Sequence, residues 1–156
     1  MKQSTLNIEV REQSYQPVLS IRTRTDVKSL PRLIGESYSR IGQYLNELDI
    51  EPEGLPFVAY YNLDMNDLDV EIGFPVDDVI PGNQDMCPGE LEKGRMVTCR
   101  YNGPYEGLEE VYKDMNKYIE EKGLKAKGIA YETYYNAPDE VKSPEELVTR
   151  IDLPVY

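Results

Sequence analysis

Tyr60-Tyr61-Asn62 and Tyr134-Tyr135-Asn136 are one tripeptide written twice, 74 residues apart. Each copy closes an uncharged or nearly uncharged run, Phe57-Val58-Ala59 in the first case and Ile129-Ala130-Tyr131-Glu132-Thr133 in the second. The same offset of 74 relates Tyr44 to Tyr118 and Gly54 to Gly128. Phe74-Pro75-Val76 and Leu153-Pro154-Val155 correspond at an offset of 79, and Arg22 and Arg100 at 78. Chance accounts for one such pair, but not for a tripeptide in register with a helix and with a strand end. Two units cannot make a solenoid array, so the pattern predicts one pseudo-dimeric domain over residues 1–156, with copies over about 1–76 and 90–156.

Working outward, alternation of apolar and polar residues predicts strands over 6–12, 17–25, 56–62, 68–76, 95–101, 128–136 and 147–155. Helical periodicity predicts helices over 29–48 and 104–122. Leu30, Leu33, Ile34, Ile41, Tyr44, Leu45 and Leu48 share a face of the first; Leu108, Val111, Tyr112, Met115, Tyr118 and Ile119 share a face of the second. Ser29 caps the first start and Pro31 is tolerated in its first turn; Pro104 opens the second helix and Gly123 lies just past its end. Residues 77–93, with Pro81, Gly82, Pro88 and Gly89, read as a surface linker, and Ser143-Pro144-Glu145-Glu146 as a helical turn. The order is β-α-β-β twice. The expected fold is α+β: duplicated units forming an antiparallel sheet, two main helices on one face, and a central groove on the other.

Composition narrows the chemistry. The chain of 156 residues has no histidine, so serine–histidine and cysteine–histidine catalysis are excluded and any mechanism must use Asp, Glu, Tyr, Lys or Cys. Cys87 and Cys99 match no metal motif and are too few for a disulfide framework. Neither a metal nor a cofactor is expected. A net charge of −12 repels phosphates, which argues against direct nucleic acid binding and favours cationic ligands. No apolar run is long enough for a membrane span or suited to secretion, so the expectation is cytoplasmic.

Parity selects the candidate site. Leu147, Thr149, Ile151, Leu153 and Val155 point toward the helices; Arg150 and Asp152 point away, as do Glu71 and Gly73 in the first copy. In 128–136, Ala130, Glu132 and Tyr134 share one face. A carboxylate in so apolar a run is expensive to bury unless paired. Either Glu132 is an anionic anchor in the groove, flanked by Tyr60 and Tyr134 as cation-binding ring faces, or it lies at a solvated edge or pairs with Arg100 or Arg150. Burial should raise its pKa. Tyr101-Asn102-Gly103-Pro104-Tyr105-Glu106 links a strand to a helix start, either to orient an anionic or carbonyl group or simply as a tight turn; it brings Tyr101 and Tyr105 near the pocket. The candidate ligand-binding set is Glu132, Tyr134, Tyr60, Tyr101, Tyr105, Glu71 and Arg150.

Gly103-Pro104-Tyr105, then Tyr131-Glu132-Thr133-Tyr134-Tyr135-Asn136-Ala137-Pro138, then Thr149-Arg150-Ile151-Asp152-Leu153-Pro154-Val155 resemble the GyrI-like small-molecule-binding domain, which is also the effector-binding half of some AraC-type and MerR-type regulators. The resemblance spans nearly the whole chain; its specific motifs lie in the second half. It implies a duplicated fold with a central groove in which a glutamate, here Glu132, contacts amphipathic cations. Tyr101 stands where the family often has histidine, so no imidazole role carries over. No DNA-binding helices precede residue 6, and the expectation is a stand-alone member. For such members the resemblance also implies an alternative, hydrolysis of reactive electrophiles, with Glu132 activating water and Tyr105 or Tyr134 donating a proton. A third alternative is inhibition of gyrase through a topoisomerase contact.

Overall fold

A computed structural model describes residues 7–156; the start of the predicted strand at Leu6 lies outside them. In chain order the elements are β1 (Ile8–Gln13), β2 (Pro17–Thr25), α1 (Leu30–Glu47), β3 (Phe57–Tyr60), β4 (Leu68–Pro75), β5 (Met86–Glu90), β6 (Gly94–Asn102), α2 (Leu108–Glu121), β7 (Ala130–Tyr134) and β8 (Val148–Pro154). A 3₁₀ turn, Tyr105–Gly107, leads into α2, so the predicted helix over 104–122 is split at its start. The chain forms two compact units. One, the amino-terminal unit, is Ser14–Glu92; the other, the carboxy-terminal unit, joins β1 to Lys93–Tyr156.

In the amino-terminal unit, β4 lies between β3 and β2, and β5 adds to the far edge of β2, every pair antiparallel. Helix α1 packs Ile41 and Leu45 against Leu19, Ile21, Val76, Ile80 and Met86. Strand β5 corrects the expectation of a bare linker over 77–93. Pro88 and Gly89 do read as loop, but among the described strands β5 pairs with β2 alone, and an unpaired strand edge is where proline is tolerated. Buried Met86 anchors the strand, and buried Ile80 anchors the segment before it. At the start of α1 the Ser29 side chain makes no cap bond; Asp26 accepts from the Ser29 N–H instead, at 2.8 Å.

In the carboxy-terminal unit, β6 lies between β1 and β8, and β8 pairs onward with β7, again all antiparallel. Val97, Cys99, Ile151, Leu153 and Val155 pack beneath Leu108, Val111, Met115 and Ile119 of α2. Strand β1 pairs with β6, from Ile8 opposite Cys99 to Gln13 opposite Gly94, so in space it lies in the carboxy-terminal unit, just as β5, which precedes β6 in the chain, pairs with β2 of the amino-terminal unit. The alternation of β1 fixes which face it buries but carries no information about its partner.

The tripeptides that opened the sequence argument make matching bonds, each within its own unit. Asn62 donates to the Asp67 carbonyl at 3.0 Å and accepts from the Asp69 N–H at 3.1 Å. Asn136 donates to the Glu146 carbonyl at 3.0 Å and accepts from the Val148 N–H at 2.9 Å. Each asparagine thereby clamps the connection into the next strand, satisfying main-chain groups that a loop would otherwise leave to water. The Tyr61 N–H bonds the Asp69 carbonyl and the Tyr135 N–H the Val148 carbonyl. The rings are used alike as well: the Arg22 guanidinium lies 3.7 Å from the Tyr61 ring centre, and that of Arg100 lies 4.6 Å from Tyr135.

Candidate functional site

Strand β7 is short and alternates. Ala130 packs against the α2 core, and Glu132 stands opposite Ile151, which belongs to the same core. Glu132 and Tyr134 therefore rise from the sheet on the helix side. Helix α2 meets them with Tyr112, one turn after Leu108 on its inner face. The Tyr112 hydroxyl donates to one oxygen of Glu132 at 2.5 Å, and the Tyr134 hydroxyl donates to the other at 2.6 Å. The ring of Tyr105, set by the 3₁₀ turn, packs edge-on to Tyr134 with centroids 6.1 Å apart.

The carboxylate at the centre is 7% exposed. Burial pushes its pKa above the usual carboxylate range, while the two tyrosine hydrogen bonds pull in the opposite direction and do not win. Burial also raises the Tyr105 pKa, and the nearby Glu132 charge adds to the rise. Two hydroxyls satisfy hydrogen-bonding capacity but supply no positive charge. Among the described residues no lysine or arginine acts on Glu132. The candidate site is a desolvated carboxyl group set among tyrosine side chains, whose ionised form a positive charge brought beside it would stabilise.

The sequence candidates separate into groups. Glu132, Tyr134 and Tyr105 come together. Tyr112, read from the sequence only as a core position, joins them; its place on the inner stripe, one turn after Leu108, was the available signal. Tyr101 faces the α2 core, but its hydroxyl turns back to the Pro104 carbonyl at 2.9 Å. Gly103, at φ +148°, and Gly107 leave the space it fills, since a Cβ at Gly107 would lie 2.0 Å from the tyrosine oxygen. The Gly-Pro-Tyr segment thus works as a tight turn that holds Tyr101 and aims Tyr105.

Glu132 does not lie on the sheet face away from the helices, where the sequence reading put it; it faces α2, which supplies it a partner in Tyr112. Arg150 stands opposite Thr133, on the other face, and is bound to Asp152 at 2.8 Å. The pairing of Glu132 with Arg100 or Arg150 is absent; Arg100 stacks on Tyr135. Tyr60 and Glu71 belong to the amino-terminal unit. Tyr60 stands opposite Val70 and is half-buried. Glu71 accepts from Ser20 at 2.6 Å and from Tyr61 at 2.5 Å on the sheet face away from α1. Finally, the Thr149 side chain is fully buried in register with Tyr134 and Tyr101, and its hydroxyl has no hydrogen-bond partner.

Solved structures with this fold are numerous. The C-terminal domain of EcmrR superposes with a TM-score of 0.79 at 21% identity, covering 98% of this chain and 99% of that one. In EcmrR solved in complex with DNA, the matched region is 57% of the EcmrR chain, so this chain spans little more than half of that protein. A hydrolase from Listeria innocua matches at TM-score 0.70 and 16% identity, over 96% of this chain and 91% of its own. The protein SAV2435, solved bound to tetraphenylphosphonium, matches at 0.62 and 13%, over 96% and 94%. At these identities the likeness is one of fold. Among curated proteins none matches the sequence. No helix among the described residues is long and apolar enough to cross a membrane. The model of the GyrI-like small molecule binding domain matches residues 6–156, and the chain belongs to that family.

Proposed function

We propose that the carboxy-terminal unit binds a small amphipathic cation, with Glu132 as the counter-charge and Tyr105, Tyr112 and Tyr134 as its aromatic surround. The observation that carries this reading is a buried carboxylate whose partners are both neutral. A protein retains such a group at a cost in stability, and a ligand that brings the missing positive charge recovers it. The relative bound to tetraphenylphosphonium supports the choice of a lipophilic cation. The matching asparagine clamps and arginine–tyrosine stacks support reading the two units as copies of one ancestral unit.

The test compares tetraphenylphosphonium with tetraphenylborate, a pair of nearly the same shape and opposite charge, by calorimetric titration. Saturable binding of the cation without binding of the anion is expected. Equal binding of both would mean that shape alone is recognised and would overturn the assignment of Glu132. A second reading, hydrolysis of a reactive electrophile, is favoured by the raised carboxylate pKa beside tyrosine hydroxyls and by the hydrolase from Listeria innocua. Catalytic turnover of such a compound, lost in Glu132→Gln, would select it over stoichiometric binding.

A further inference from the structure

Strands β1, β6 and β8 turn a different set of side chains to the sheet face opposite α2. Asn7, Glu9, Arg11, Thr98, Arg100 and Arg150 line a concavity there of about 240 Å³. Thr98 forms its floor, opposite Glu9 on one side and Asp152 on the other. The Asp152 carboxylate, with its side chain only 2% exposed, is divided between two arginines: Arg11 at 3.0 Å and Arg150 at 2.8 Å. Arg100 stands directly across from Arg150 in the strand register. Like charges placed opposite each other on paired strands are destabilising. Among the described residues Arg100 has no carboxylate of its own; its guanidinium rests on the Tyr135 ring.

The amino-terminal unit provides an internal control. Arg22 stacks on Tyr61 in the same way, but Asp69 also grips it through two bonds, each of 2.8 Å. One arrangement therefore occurs twice, once with its anion built in and once with a concavity where an anion would sit. We propose that the concavity beside Arg100 and Arg150 binds a small oxyanion, a phosphate or carboxylate group. The planar guanidinium fork matches two oxygens of either group, and the Thr98 hydroxyl is a further donor. The volume holds about eight waters at roughly 30 Å³ each, which suits a small metabolite and not a polymer. Glu9, bonded by Asn7 at 2.9 Å on the opposite rim, closes that side to a second anionic group. This site lies on the sheet face away from Glu132 and stands independently of the cation reading.

Inorganic phosphate and succinate, each titrated calorimetrically at constant ionic strength, distinguish the two sources of the oxyanion. Heat of binding is the readout because phosphate stabilises most folds by exclusion, whatever it binds. Saturable millimolar binding of at least one of them is expected. Arg100→Gln should weaken it about tenfold, the scale of one charged hydrogen bond. Arg22→Gln should leave it unchanged. Thr98→Val and Arg100→Lys, which keeps the charge but loses the fork, should each weaken binding and keep the question answerable if Arg100→Gln does not fold. The absence of saturable binding by either anion would overturn the proposal. Equal losses in Arg22→Gln and Arg100→Gln would do the same, since they would reduce the effect to overall charge.

Discussion

Glu132→Gln isolates the charge at the candidate site with almost no change of shape. The amide oxygen still accepts from one tyrosine, and the amide nitrogen donates to the oxygen of the other, so the fold is expected to persist. Two unit charges about 5 Å apart at an effective dielectric of about 20 attract by about 3 kcal/mol, or about two orders of magnitude in Kd. Tetraphenylphosphonium titrated at about 0.15 M salt, where the long-range field of the acidic chain is largely screened, should therefore bind the variant about a hundredfold more weakly. The ligand-free proteins should differ in the opposite sense. Because the folded-state pKa of Glu132 is raised, its contribution to stability is fully present below its ordinary value of about 4.5 and is lost as pH rises through the folded value. Wild type should thus lose stability relative to Glu132→Gln across that window, read by thermal unfolding at stepped pH. Over the same window cation affinity should rise with pH in the wild type, with proton release on binding, and stay flat in the variant. A variant that binds the cation as tightly as the wild type, with the two pH profiles superimposed, would refute the assignment of the carboxylate.

Two further outcomes test the architecture around the site. Gly107→Ala would place a Cβ 2.0 Å from the Tyr101 hydroxyl oxygen, so a destabilisation of about 1–3 kcal/mol in urea unfolding is expected, partly recovered by adding Tyr101→Phe. An unchanged midpoint would mean that Tyr101 does not occupy the turn. Thr149→Val removes a buried hydroxyl that has no partner while keeping its shape, and should stabilise the ligand-free protein by about 1–2 kcal/mol. Destabilisation would show instead that the hydroxyl is bonded in solution.

Strand alternation, helix stripes and the repeated tripeptide are local regularities, and among the described residues they sufficed for both α-helices, seven of the eight strands and the facing of Glu132 with Tyr134. The exception, β5, escaped because its proline and glycine describe a loop unless a neighbouring strand is there to pair with. The same limit hid Tyr112. Its spacing marks a buried helix face, but only the packing of α2 over β7 turns a core tyrosine into a hydrogen-bond donor for a particular carboxylate. Residue order along one strand decides which side chains share a face, because backbone pleating imposes it. Which strand β1 joins, which sheet face carries Glu132, and why Arg22 has a carboxylate when, among the described residues, Arg100 has none depend on contacts between residues distant in sequence. Those were decided only when the chain folded.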